Sequence, residues 1–308
     1  GTAGTTGTAG TTGTAGTTPT GGTTGAGGAV LSGVTVTLGG VDVPKENVIA
    51  FLNFGHSNMA GRGVSPANLR PYFFTDTQPH SWMYHSGAGF QPSLEPKTAG
   101  DSGNNVNGMV SGGLSTALVK QAAALNPSKH FVTVPFGAGK AYCSQFCPAT
   151  GPCSGGTYYN NVIKGAKEIK DKVTWGGIVI YLGVTERHGT QMDIDNYPQC
   201  INKLVTSIRT DLGQPTLPLL INDYEMGTTG PLAPTSAFAL AIRPKILMVP
   251  TVVSNAVVIP TDNPIIPIED IIADRPDLHH FNLLGHQMYA DRVLQMMKDK
   301  GWAPWLTP

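Results

Sequence analysis

Charge is scarce in this sequence. Of its 308 residues 13% are charged, basic and acidic side chains balance at 20 each, and no Lys- or Arg-rich block occurs. A nucleic-acid-binding protein needs a basic footprint to displace counterions from phosphates, so nucleic acid is excluded as a partner. Long apolar runs are missing too. The longest, around Gly176–Val184, is roughly half of what a membrane-spanning helix requires. The chain opens on Gly and Thr, without the basic and then apolar segments of a signal peptide, so its destination must be read from other features. Signatures such as H-E-x-x-H are lacking, and His80, His85, His130 and His286 are scattered singly, as ordinary surface or core histidines are. No metal is expected.

Cysteine is rare but informative. Cys143, Cys147 and Cys153 crowd into one Gly/Pro/Ser-rich loop, and Cys200 lies apart. An even number clustered in this way predicts two disulfides, and with them an oxidising, secreted or extracellular setting. The three loop cysteines also offer a metal-ligand reading, although they lack the tight paired spacing of zinc knuckles. Which of them pairs with Cys200 is open.

What the sequence has in abundance is apolar residues, 40% of the chain, enough for a large core. Residues 1–28 are set apart by a GTAGTT repeat. Nothing in that repeat can be buried to offset the entropy of ordering it, so a flexible linker is expected there. Such linkers tether a domain to another module or to a cell surface. Residues 29–308 read as one domain. Short β-rich runs at Val48–Phe54, His80–Tyr84, Phe131–Pro135, Gly177–Leu182 and Leu217–Asn222 alternate with helical patterns at Gly113–Leu125, Tyr159–Lys172, Asn196–Leu212 and Leu283–Lys300. In the last pattern Leu284, Met288, Val293, Met296 and Met297 fall roughly on one stripe, with Asn282 as N-cap and Gly301 as the stop. Apolar strands alternating with helices indicate an α/β fold whose parallel sheet is covered on both faces. Ligands of such sheets sit beyond the carboxyl ends of the strands, so the residues that follow each strand are the candidates for chemistry.

The first strand is followed by Gly55-His56-Ser57-Asn58-Met59-Ala60-Gly61. A serine among small residues at a strand exit can be presented to a substrate beside outward-pointing N–H groups. This is not the G-x-S-x-G elbow, because Met59 stands where the second Gly belongs. The string closely resembles the first block of the SGNH hydrolases, in the branch of sialate O-acetylesterase-like and carbohydrate acetylesterases, which reads G-Q-S-N-M-A-G; His56 for Gln is the only departure. Near the C-terminus, Asp277-Leu278-His279-His280 matches the D-x-x-H of that family's last block. Ser111-Gly112-Gly113-Leu114-Ser115 resembles its second block, Gly113 matching the glycine that offers an N–H. The third block, Q-G-E-S-D in this branch, is altered: Leu182 stands for the Gln, Thr185 for the Ser, and Glu186 follows.

The resemblance implies a three-layer sandwich around a mainly parallel, flavodoxin-like five-stranded sheet. It implies a serine esterase with Ser57 as nucleophile, His280 as base and Asp277 as its partner, acting without metal or organic cofactor. The oxyanion would be held by the N–H groups of Ser57 and Gly113, with Thr185 as a further candidate. His56, Asn58 and Glu186 are candidates for lining the substrate cleft. The expected substrate is an O-acylated, most simply O-acetylated, carbohydrate. Two other readings stay open: an esterase for a lipid, polyester or aryl ester, since this fold hosts many substrates, and a catalytically weak carbohydrate-binding module, motivated by the altered third block.

Overall fold

The computed structural model describes residues 33–59, 77–94, 113–149, 156–224, 236–261, 281 and 283–307. All of them belong to the unit Ser32–Pro308, and the expected linker at 1–28 lies outside them.

The described chain begins with a small hairpin, β1 (Thr35–Leu38) and β2 (Val41–Pro44). Gly39 and Gly40 join them at φ of +59° and +84°, the left-handed pair that a two-residue hairpin turn demands. The main sheet is built from β3 (Val48–Gly55), β4 (Ser81–His85), β5 (Gly89–Pro92), β6 (His130–Gly137), β7 (Thr174–Tyr181), β8 (Leu219–Asn222) and β9 (Ala256–Ile259). Their order is β5-β4-β6-β3-β7-β8-β9. Only β5 runs antiparallel, hairpinned to β4.

The expected class holds, but the strand count does not: the sheet has seven strands. Strands β5 and β9 have four residues each, with no residue fully buried in β5 and only Ile259 in β9, so they carry little of the apolar signal that marks a strand. The five strands from β6 to the β9 edge, β6-β3-β7-β8-β9, follow the flavodoxin-like order 2-1-3-4-5 when renumbered by first appearance, which puts the topological switch point between β3 and β7.

Both faces are covered. Helices α1 (Leu114–Leu125) and α7 (Leu283–Asp299) share a core with Ile49, Phe51, Phe131, Val179 and Tyr181. On the other side α3 (Tyr159–Ile169), α5 (Tyr197–Leu212) and α6 (Ala237–Val252) share one with Val48, Ala50, Leu52, Phe54, Val134 and Ile180. The period-2 split of β3 between the two clusters is what a strand buried on both faces produces. Two short helices, α2 (Cys143–Phe146) and α4 (Gln191–Asp195), follow β6 and β7. The buried stripe of α7 is Tyr289, Ala290, Val293, Leu294 and Met297, while Met288 and Met296 are only half-buried. It therefore sits rotated from the stripe the sequence suggested. The helix stops as expected: Gly301 takes φ +68°, and Trp302 N–H returns to the Met297 carbonyl at 2.9 Å.

Candidate active site

The carboxyl end of β3 is fixed by its two neighbours. Gly55 lies opposite Gly137 of β6 and Tyr181 of β7, and a Cβ at Gly55 would fall onto the Tyr181 carbonyl. Only glycine lets the strands close here. Just beyond, His56 N–H donates to the Tyr181 carbonyl at 3.0 Å and Ala138 N–H to the Gly55 carbonyl at 2.9 Å. The chain then leaves the sheet at Ser57, which is 8% exposed, at the switch point where the strand order directs a ligand.

The neighbours of Ser57 are tied to distant parts of the chain. Asn58 Oδ1 accepts a hydrogen bond from Phe281 N–H at 2.9 Å, joining the residue after Ser57 to the residue after His280 in sequence. Asp277, His279 and His280 themselves lie outside the described residues. Met59 and Leu114, within the first and second sequence blocks, and Tyr181 and Phe281, next to the third and last, belong to one buried apolar cluster. Edge-on aromatic contacts run from His56 to Tyr181 at 5.2 Å and from Tyr181 to Phe281 at 5.6 Å. His56, at the position of the family's Gln, is buried at 2% exposure. Gly113 is the extended N-cap residue of α1.

The exit of β7 is built differently from what the third block suggested. Leu182 belongs to the core on the α5 and α6 side, and its N–H donates to Asn222 Oδ1 at 2.8 Å, stitching the end of β7 to the end of β8. Gly183 turns the chain at φ +119°, with Ile246 of α6 3.0 Å from where a Cβ would be. Thr185 and Glu186 then enter a short 3-10 turn, Thr185–His188, and both are buried. Glu186 is 1% exposed, and its Oε1 accepts Cys143 N–H at 2.7 Å. Burial pushes the carboxyl up to about 7, against the opposing pull of the N–H groups of Cys143, Glu186 itself and Gly183. Buried there, its carboxyl group ties the segment after β6 to the exit of β7.

Cys143 and Cys200 form a disulfide, which answers the pairing the sequence left open. It joins α2 to α5, next to the residue whose N–H holds Glu186. Cys147 Sγ lies 3.4 Å from Cys200 Sγ, and Cys153 lies outside the described residues. Among the described residues, the one group of metal-ligand type is these three sulfurs, mutually within 4.8 Å. Two of these sulfurs are those of the Cys143–Cys200 disulfide.

Sequence reasoning missed Asp223, which follows β8 at the same sheet edge. It is 3% exposed and receives both Nε and Nη2 of Arg243, the latter at 2.8 Å. The signal was faint: an Asn-Asp pair after a strand, with its arginine on a helix the sequence conceals. His130 belongs elsewhere, at the amino end of β6, stacked on His80 at 4.3 Å and pushed down to about 4 by burial and the charge of His80.

Comparison with solved structures places this fold. A protein from Arabidopsis thaliana superposes with a TM-score of 0.64 at 18% identity, covering 82% of this chain and 98% of its own. A carbohydrate acetylesterase from Xanthomonas citri gives 0.53 at 14% identity over 82% of this chain, which spans 55% of that protein. A candidate GDSL-like lipase from Parabacteroides merdae gives 0.50 at 11% identity, over 84% and 97%. No curated relative matches the sequence. The fold is that of the SGNH/GDSL hydrolases, and the class of protein is a carboxylic ester hydrolase. Residues 47–263 match the carbohydrate esterase family described as sialic acid-specific acetylesterase, and the chain belongs to that family.

Proposed function

We propose that this carbohydrate esterase removes O-acetyl groups from a carbohydrate by a Ser-His-Asp mechanism, with Ser57 as nucleophile, His280 as general base and Asp277 as its orienting carboxylate. The observation that carries the reading is the Asn58–Phe281 hydrogen bond. It ties Phe281, the residue that follows the D-x-x-H string in sequence, to the residue after Ser57 across more than two hundred residues of sequence. His280 takes the Ser57 proton as Oγ attacks the ester carbonyl, and the N–H groups of Ser57 and Gly113 receive the oxyanion. Protonated His280 then gives its proton to the departing sugar hydroxyl. Water, activated by the same imidazole, hydrolyses the acetyl-enzyme and restores the serine. Leu182 lies in the core, so the amide that the family places there has no counterpart at this position. Thr185 is the remaining side-chain candidate on this turn.

The Cys143–Cys200 disulfide supports an oxidising, extracellular setting. Among the described residues no helix is long and apolar enough to cross a membrane. Residues 1–28 then serve as a linker to a further module or a surface, and 29–308 as the catalytic domain.

The test is kcat/KM on p-nitrophenyl acetate and on an acetylated oligosaccharide, with circular dichroism as the folding control. Ser57→Ala and His280→Ala should each lose on the order of 1000-fold or more, and Asp277→Asn strongly as well, whereas His279→Ala should lose about tenfold or less. A fluorophosphonate should label wild type and spare Ser57→Ala. A fully active Ser57→Ala, or a dead His279→Ala beside a normal His280→Ala, would remove the assignment.

A further inference from the structure

The proposed reaction leaves one cleft of the same sheet edge unused. It has a volume of about 250 Å³ and is lined by Tyr84, Ser86, Pro135, Phe136, Asn161 and Lys164, among others. The contributing segments are the carboxyl ends of β4 and β6 and the first turns of α3. Gly165 lets that helix lie close, since a Cβ there would already stand 3.3 Å from Val134 and 3.5 Å from Tyr84.

The wall of this cleft is ordered before any ligand arrives. Glu168 accepts hydrogen bonds from Ser86 Oγ at 2.5 Å and from Tyr84 Oη at 2.8 Å. The Ser86 hydroxyl leads the interactions that hold the Glu168 carboxyl below its usual range, followed by Tyr84 and the ammonium groups of Lys164 and Lys172. Tyr84 in turn packs edge-on against Phe90, ring centroids 4.8 Å apart. The result is a fixed aromatic flank beside hydroxyl groups, with the amide of Asn161 and the ammonium of Lys164 on exposed positions at the rim.

Such a lining suits a sugar ring, which presents C–H faces to an aromatic side chain and hydroxyl edges to polar groups. It suits an acyl chain poorly, because a hydrocarbon would strip water from those groups and return no hydrogen bonds. The cleft is also close to the chemistry. Strand β6 carries Pro135 and Phe136 into its wall, and Ala138, two residues later, bonds the Gly55 carbonyl just before Ser57. Strand β4 lies two strand spacings from β3, or about 10 Å, a distance that a short oligosaccharide spans.

We propose that this cleft is a distal sugar subsite, holding a ring of the same carbohydrate chain whose acetyl group is cleaved at Ser57. The preferred substrate is then an oligosaccharide and not an isolated monosaccharide. This rests on the carbohydrate reading given above.

The experiment compares wild type with Asn161→Ala/Lys164→Ala and with Asn161→Trp, which fills the cleft from an exposed position. The probes are p-nitrophenyl acetate and acetylated xylo-, manno- and galacto-oligosaccharides of increasing length. For wild type KM should fall with chain length. Both variants should lose that dependence, with KM for the longer substrates raised ~5–10-fold at unchanged kcat, as removal of binding made equally in ground and transition states predicts. Turnover of p-nitrophenyl acetate should not change. If wild type cleaves the oligosaccharides with a KM indifferent to length, or if both variants match it, the subsite is overturned while the carbohydrate reading stands. If wild type cleaves p-nitrophenyl acetate but none of the oligosaccharides, the carbohydrate reading fails and takes the subsite with it.

Discussion

Glu186 carries an unusual burden for a single side chain. Its Oε1 receives Cys143 N–H, while Oε2 is buried with no hydrogen-bond partner among the described residues. The ionisable groups that act on it or respond to it are Asp193 of α4, which raises it further, and Tyr197 of α5, whose hydroxyl burial pushes well above its ordinary value. The folded-state carboxyl titrates at about 7 against an ordinary 4.5, so the folded protein holds this proton more tightly than the unfolded chain does. The stability it contributes is complete below pH 4.5 and is lost as pH rises through 7. The loss amounts to something on the order of 2–4 kcal/mol. Glu186→Gln keeps an acceptor for Cys143 N–H and removes the titration. Urea unfolding at pH 5 and pH 8 should therefore show a smaller decline with pH for the variant than for wild type. Equal declines in the two proteins would show that Glu186 does not titrate in this window.

Strand β3 is the element on which the candidate site depends, because it is flanked by β6 over Val48–Gly55 and by β7 over Ile49–Gly55 and is followed by Ser57 two residues later. Its exit tolerates no side chain on Gly55, since the obstacle is the Tyr181 backbone, which cannot rotate away as a flexible side chain could. Gly55→Ala should cost roughly 2–4 kcal/mol, more than ordinary overpacking, because strands β3 and β7 must separate. A urea midpoint within the error of wild type would show that the strand end relaxes freely. The helices show how unevenly elements announce themselves. The sequence patterns for α1, α3, α5 and α7 match the structure within a few residues, and α5 and α7 end as their sequences announce, on Gly213 and Gly301 at positive φ. Helix α6 does not show itself. Pro244 and Pro250 lie inside it, where proline normally interrupts a helix, and Leu240, Leu247 and Met248 are exposed, so its pattern gives no polar outer face.

At the scale of the molecule the Cys143–Cys200 disulfide closes a loop of 57 residues between the exit of β6 and helix α5. A cross-link of that span should contribute about 2–4 kcal/mol by restricting the unfolded chain. Peptide mapping without reduction should recover the two segments joined. The Cys143→Ser/Cys200→Ser double variant should unfold at lower urea, with the Glu186 contact loosened. Four alkylatable thiols in the native, unreduced protein would contradict the disulfide.

The seven residues Gly55–Gly61 and the D-x-x-H string are local patterns, and the sequence alone pointed from them to a family and to Ser57 as the candidate nucleophile, because such motifs are written in a few neighbouring residues. The alternation of apolar runs with helical patterns likewise determined the α/β class, since period and burial are local properties. Tertiary structure decided the rest. It added strands β5 and β9, too short and too exposed to read, and it chose Cys143 among three possible partners for Cys200. It turned Leu182 into the core and buried Glu186 against the N–H of Cys143. Each of these outcomes depends on which surfaces, distant in sequence, are pressed together when the sheet closes, and no window of neighbouring residues contains that information.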